Sequence, residues 1–310
     1  MTAARPTPTG TVPATPADAL VATVAYSDVF DMPVSVDQVH PFLVGHRVDA
    51  DDLPALIDQV VAAGRLGRRA DLLYLPGRED VLDVHVDRTA RADVMWPTTI
   101  RWARRIGRLP LVRAVAVWGG LAVDWVADHD DADLFLVVAP GRLWLTRLLV
   151  LVLVRLAERD DIELCPNYIV SESAIEMDDR ELYVARELAQ MLPIVGAERC
   201  IELRRRNAWM FDHLPNATVE GDLRRVDEVG APGPVRRAAE WLLALPIVEP
   251  LERWEMRRKV DRLRAVRSRR PEVGAPDESS FSRDVCKGHM VGNAAGIDVA
   301  WNERRTAARA

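Results

Sequence analysis

Apolar residues recur along this chain with two different periods, and the period changes at about residue 111. Before that point they follow the three- and four-residue spacing of helices, which predicts helices over residues 17–30, 35–43 and 51–63. Two short extended segments, 65–69 and 72–75, come next around a turn and predict a β hairpin. The chain therefore opens with a small module of helices and a hairpin.

Beyond residue 111 short β-branched runs alternate with helical segments. Residues 112–117, 132–138 and 162–170 predict strands, and an apolar helix over 143–156 lies between the second and third. This helix is shorter than the roughly 20 residues that a bilayer requires, so we expect it to be buried in protein. Strands alternating with helices predict a sheet covered by helices.

These changes of pattern predict a mixed α+β protein with a helical C-terminal region. After about residue 178 the pattern is helical, with segments at 180–191, 197–206, 235–245 and 250–269. The predicted division is a disordered arm (1–16), the N-terminal module (17–78), a helical linker (79–110), the α/β domain (111–200), the helical region (201–270) and a loop-rich tail (271–310).

Composition narrows the classes of function. With 310 residues, 49% of them hydrophobic, and a net charge of −6, the chain has a globular composition and no overall basic footprint for nucleic acid. Its three widely spaced cysteines fit neither a disulfide framework nor a zinc ribbon. We expect a cytoplasmic protein without a membrane segment.

The N-terminal module resembles a winged helix in its element order and in the run Ala-Ala-Gly-Arg-Leu that leads into the hairpin. A winged helix reads DNA through its third helix, but that helix here carries aspartates and no arginine, which suits phosphate poorly. A packing or protein-contact module is the main interpretation. DNA binding stays open because the hairpin carries three arginines, Arg65, Arg68 and Arg69.

Two glycines and two aspartates lie at the ends of neighbouring predicted strands. Asp131 and Asp133 are two residues apart at the head of a strand, so both side chains leave the same face and could hold Mg²⁺. Gly119 and Gly120, at the end of the preceding strand, allow backbone N–H groups to approach a phosphate chain closely. Metal and phosphate would then meet in one cleft.

This constellation resembles the nucleotidyltransferase domain of the DNA polymerase β-like superfamily, whose signature is Gly-Ser, about ten residues, and Asp-x-Asp. Gly119-Gly120 stand at the Gly-Ser pair and Asp131-x-Asp133 follow at that spacing. Residues 139–144 and 164–168 extend the likeness, and this wider run resembles a bacterial subgroup that joins a winged helix to this domain. The resemblance implies Mg²⁺-dependent transfer of a nucleoside monophosphate from an NTP, with Asp131 and Asp133 as catalytic metal ligands and Gly119 and Gly120 at the nucleotide.

Two positions depart from the family pattern. Gly120 replaces a serine whose hydroxyl helps to bind the triphosphate. Family members with activity also supply a carboxylate from a later strand, where this chain offers Glu163 as a metal ligand and Asn167 at the possible site position. An asparagine cannot act as a base or carry a negative charge.

Three functions follow as hypotheses. The first is nucleotidyl transfer to an unidentified acceptor, which could be a small molecule, a protein or an RNA. The second is a catalytically degenerate relative that binds a nucleotide or a partner protein, as the two departures suggest. The third is a DNA-binding regulator that uses the N-terminal module.

Overall fold

Residues 13–75 form helices around a small antiparallel sheet. The structure is a computed structural model that describes residues 13–226, 233–268, 279–288 and 293–308, so the predicted arm lies, up to residue 12, outside the described residues. The elements are α1 (Pro16–Asp28), β1 (Val34–Ser35), α2 (Val36–Val39), α3 (Leu53–Ala62), β2 (Gly67–Arg69) and β3 (Leu72–Tyr74). The strand order is β1-β3-β2. The helices and hairpin expected here are present.

Local sequence explains how α1 begins and why α2 is short. The Thr15 hydroxyl accepts a hydrogen bond from the Asp18 N–H at 3.1 Å, and Pro16 occupies the first helical position, where no donor is needed. α2 passes into a 3-10 turn at His40–Phe42, because Pro41 has no N–H to continue an α-helix. Ser35 is the N-cap residue of α2, but its side chain forms no capping hydrogen bond.

A second group of elements forms the centre of the molecule. These are α4 (Val81–Gly107), β4 (Val112–Val117), β5 (Ala132–Val138), α5 (Leu143–Ala157), β6 (Leu164–Ser171), α6 (Leu182–Gln190), β7 (Leu192–Val195) and α7 (Ala197–Arg206). The strands predicted at 112–117 and 132–138 have the expected bounds. β7 was not predicted, since its four buried residues directly follow a helix and are too few to show a strand period.

The C-terminal part adds helices and a second hairpin. Its elements are α8 (Met210–His213), α9 (Pro234–Ala244), α10 (Glu249–Ser268), β8 (Ser280–Phe281), β9 (Val285–Lys287) and α11 (Asn293–Ala307). The expectation of a loop-rich tail after residue 270 is therefore wrong for its described parts. β9 forms by pairing with the open edge of β6, which is a tertiary contact that local sequence does not encode.

One mixed sheet forms the centre of the molecule, with the strand order β7-β4-β5-β6-β9-β8. β5 and β6 run parallel, and each of the other neighbouring pairs is antiparallel. Residues alternate between the two faces: Val115 and Val117 pack with α4 and α5, whereas Ala114 and Ala116 face a core shared with α6 and the N-terminal module. Both faces of the sheet are therefore covered.

Helices α4 and α5 cover one face of this sheet. α4, predicted as a linker, buries Trp96, Trp102 and Ile106 against the sheet. α5 buries Trp144 and Val150 in the same layer, as expected for its apolar sequence. Among the described residues each helix is too short or too polar to cross a bilayer.

Candidate functional site

The turn after β4 requires both of its glycines. Gly119 has φ +71°, and a Cβ there would lie 2.7 Å from Asp133 Oδ2. A Cβ on Gly120 would lie 2.4 Å from the backbone oxygen of Trp125, whose N–H donates to the Gly120 oxygen at 2.9 Å. A serine at position 120 would therefore displace the backbone.

Asp131 and Asp133 lie together at the head of β5, as their spacing predicts. One oxygen from each and Sγ of Cys165 all lie within 4.8 Å of one another, and all three residues are half-buried. Burial raises the pKa of Asp133 to about 8, and the neighbouring Asp131 carboxylate adds to the shift. Burial also raises the pKa of the Cys165 thiol. A cation between these groups would relieve the repulsion.

A bulge in β6 determines which residues face the aspartates. Asp133 pairs with Cys165 and Phe135 pairs with Tyr168, so two residues of β6 stand opposite one of β5. The bulge contains Asn167, which is buried and whose Nδ2 donates a hydrogen bond to Asp133 Oδ1. At the site position expected for Asn167, the structure therefore has an amide that contacts the candidate metal ligand Asp133.

Glu163, expected as a further metal ligand, does not join this group of described residues. It precedes β6, it is exposed, and it lines a separate cleft. Cys165 takes the neighbouring position because its residue pairs directly with Asp133. Beyond Cys165, the bulge interrupts the regular alternation of side chains along β6.

Glu187 on α6 is a third carboxylate that the sequence pattern did not reveal. Its Oε2 accepts a hydrogen bond from the Gly119 N–H at 3.0 Å, and its Oε1 accepts one from Gln190 Nε2 at 2.9 Å. Burial raises its pKa to about 7, although the Gly119 hydrogen bond and Arg186 oppose the shift. The one sequence signal for Glu187 is that it is an acidic residue on the buried face of the amphipathic helix α6.

These groups line one cleft of about 620 Å³. Its walls include the glycine turn, Asp133 and Glu187, the rings of Phe30, Trp118 and Tyr183, and Gly296 and Ile297 of α11. Searches with this chain matched no protein-family model, no curated protein and no solved structure. What the site can do must therefore be judged from its own chemistry.

The donor set fits a divalent cation. Two carboxylates two residues apart are ligands that Mg²⁺ accepts, and the rest of its octahedron is usually water or phosphate oxygen. A thiolate is a soft donor that suits Zn²⁺ better than Mg²⁺. Asp131 and Asp133 could therefore hold Mg²⁺ without Cys165, whose thiol would stay protonated.

The hairpin arginines considered for DNA contact are largely engaged elsewhere. Arg65 pairs with Asp18 at 2.7 Å, and Arg68 pairs with Asp58 at 3.3 Å. The first pair is partly buried, so it leaves little charge for a phosphate. These contacts favour a packing role for the N-terminal module.

Proposed function

We propose that this chain is a nucleotidyltransferase that moves a nucleoside monophosphate from an NTP to an acceptor with the help of Mg²⁺. The observation that carries the proposal is that Asp133 and the glycine turn line one cleft and that Asp131 lies beside Asp133. A triphosphate site needs metal ligands and a stretch of backbone that can lie close to the phosphates.

Each part of the site has a role in the proposed reaction. Asp131 and Asp133 would hold Mg²⁺, which would neutralise charge on the triphosphate. The glycine turn lies beside Asp133 and lines the cleft in which the phosphates would bind. The acceptor oxygen would bond to the α-phosphorus as the bond to pyrophosphate breaks, and the exposed face of Phe30 could contact the base.

Calorimetric titration tests the metal-dependent binding. Wild-type protein is titrated with ATP, GTP, CTP and UTP, with and without Mg²⁺, beside the Asp131→Asn/Asp133→Asn double variant. We expect Mg²⁺-dependent binding of at least one nucleotide in the wild type and its loss in the double variant. Asp161→Asn, an exposed aspartate with φ +53° that asparagine tolerates, is the matched control. Binding that survives in the double variant would remove the assignment.

A second candidate, nucleotide binding without turnover, is favoured by Asn167. Its amide donates to Asp133 at the position where a carboxylate would complete the site. Asparagine cannot accept a proton from the acceptor, and one Asp133 oxygen is already engaged. This arrangement suits a site that binds a nucleotide and retains it.

Pyrophosphate release separates the two candidates. A transferase releases pyrophosphate when an acceptor is supplied, whereas a binding protein returns the nucleotide unchanged in any mixture. If binding occurs without release, Asn167→Asp should raise metal affinity, because a third carboxylate would then face the cation. Unchanged metal affinity in this variant would show that position 167 does not face the ion.

A further inference from the structure

Helix α9 presents its apolar side to solvent. Its polar side faces the start of β4. Glu240 accepts a hydrogen bond from the Leu111 N–H, and Arg236 donates one to the Val112 backbone oxygen at 2.7 Å. On the opposite side Val235, Trp241 and Leu242 are 82%, 65% and 53% exposed. Surface helices normally bury the apolar side, so this orientation leaves an apolar surface without a partner among the described residues.

The beginning of α10 extends the same kind of surface. Leu251 and Trp254 are exposed and one helical turn apart, while Glu252 and Glu255 face inward and are buried. We call the following set the aromatic face: Val235, Trp241, Leu242, Ile247, Leu251 and Trp254. The exposed charges on these helices are mainly basic, namely Arg237, Arg253, Arg257, Arg258 and Arg262.

The first half of α4 carries a second exposed apolar stripe with the opposite charge. Val86, Ala90 and Val94 lie four residues apart on one side of the helix, and the two valines are 66% and 80% exposed. Exposed aspartates flank them. We call the following set the acidic face: Val86, Ala90, Val94, Asp83, Asp87 and Asp93.

A cleft beside the acidic face could receive a large side chain. It has a volume of about 690 Å³, and its lining includes Val94, Met95 and Val126 together with the exposed carboxylates Asp161 and Glu163. An indole needs an apolar slot, and arginines beside it need carboxylates at the rim. The cleft offers both.

We propose that this chain associates head to tail with further copies of itself, the aromatic face of one copy docking on the acidic face of the next. Two aromatic faces would bring arginines together, and two acidic faces would bring aspartates together, so charge disfavours a symmetric pair. An aromatic face and an acidic face, in contrast, carry opposite charges, and both have apolar side chains. Such a contact is heterologous, so it forms rings or open chains. This association does not depend on the proposed function.

Sedimentation of face-blocked variants tests the association. Trp241→Gln/Trp254→Gln removes the aromatic face, and Val86→Gln/Val94→Gln removes the apolar stripe of the acidic face. We expect the wild type to increase in average mass with concentration and to dissociate in high salt. Each double variant alone should be a monomer. An equimolar mixture should give a dimer and nothing larger, because only one complementary pair of faces remains.

Val152→Gln is the matched control, since Val152 is 58% exposed on α5 and belongs to neither face. It should associate like the wild type. A monomeric wild type at about 100 µM, roughly a hundredfold above a micromolar Kd, would overturn the proposal. So would a valine variant that still associates, or a mixture that stays monomeric.

Charge reversal provides a second pair of variants, which guards against a folding defect in the first. Asp87→Arg/Asp93→Arg and Arg257→Glu/Arg262→Glu change only exposed residues, so their circular dichroism should match that of the wild type. Each should be monomeric alone, and their mixture should form alternating rings or chains, because the wild-type pair and the reversed pair of faces are then both complementary in charge. Self-association of either variant alone would contradict the head-to-tail contact.

Discussion

The missing side chain at Gly120 determines the shape of the turn before the aspartates. Because a Cβ there would lie 2.4 Å from the Trp125 oxygen, Gly120→Ser must move backbone atoms rather than a flexible side chain. We expect the free energy of unfolding to fall by about 1–3 kcal/mol, as for other overpacked positions. Chemical denaturation measures this change.

Gly233→Ser is the control for that substitution. A Cβ at Gly233 meets no atom of the described residues within 4 Å, and the residue precedes α9 in an extended conformation where serine is a favourable cap. Its stability should match or exceed that of the wild type. Equal stability of Gly120→Ser and the wild type would mean that the turn has room for a serine side chain.

Glu187 should make the stability of the protein depend on pH. Its pKa is raised to about 7 in the folded protein from an ordinary value of 4.5, so the folded state binds more protons than the unfolded state between these values. The free energy of unfolding should therefore fall as pH rises through this window and then level off. Asp133 acts in the same direction at slightly higher pH.

Glu187→Gln isolates the contribution of this residue. Glutamine keeps an acceptor for the Gly119 N–H but cannot ionise. Between pH 4 and 8 its stability should decline less than that of the wild type, by on the order of 2 kcal/mol. Urea unfolding across this range provides the comparison, and parallel curves would show that Glu187 is ionised with an ordinary pKa.

At the scale of elements, Glu252 joins two helices that are distant in sequence. From α10 its Oε1 and Oε2 accept hydrogen bonds from the N–H groups of Trp144 and Leu145 at 2.8 and 2.9 Å, and thereby cap the start of α5. We expect Glu252→Ala to lower the free energy of unfolding by about 1–3 kcal/mol, because two buried donors lose their acceptor.

The exposed Glu303→Ala change is the control for Glu252→Ala, and denaturant unfolding of both variants measures the difference. Both changes remove one glutamate from a helix, so helix propensity and net charge are matched. A Glu252→Ala variant as stable as Glu303→Ala would mean that water replaces the carboxylate at little cost.

Most helices and the two central strands could be predicted because their signals are local. β4 and β5 are short apolar runs between turns, and their bounds follow from periodicity. β7 and β9 could not be predicted, since each exists through pairing with a neighbour far along the chain. The packing of α4 on the sheet was also hidden, because its many arginines suggested a solvated linker.

Some residues of the candidate site could likewise be predicted from the sequence, and others could not. Asp131 and Asp133 could be predicted because a strand fixes their relative direction at a spacing of two residues. Cys165 rather than Glu163 lies beside them because Cys165 pairs directly with Asp133, and this register is not visible in the alternation of residues. Glu187 reaches the glycine turn from a helix more than sixty residues later, which only the tertiary structure brings together.

For the whole molecule, α11 joins the C-terminal end to α1 and to the cleft. Trp301 is 5% exposed, and its Nε1 donates to the Ala22 oxygen at 2.8 Å. Arg304 lies 2.6 Å from Asp28, and Ile297 lines the cleft beside the glycine turn. Loss of these contacts would uncover α1 and open one wall of the candidate site.

Trp301→Ala should release α11 from α1. Removing a buried tryptophan costs about 3–5 kcal/mol, which is enough to undock a helix held largely by this side chain. We therefore expect much faster amide exchange in α11 and in the outer face of α1, with little change in the central strands β4 and β5. Val299→Ala, at a position 60% exposed on the same helix, should exchange like the wild type. Faster exchange throughout the sheet would instead mean that α11 belongs to the same cooperative unit as the core, in which case the cleft could open only when the whole molecule unfolds.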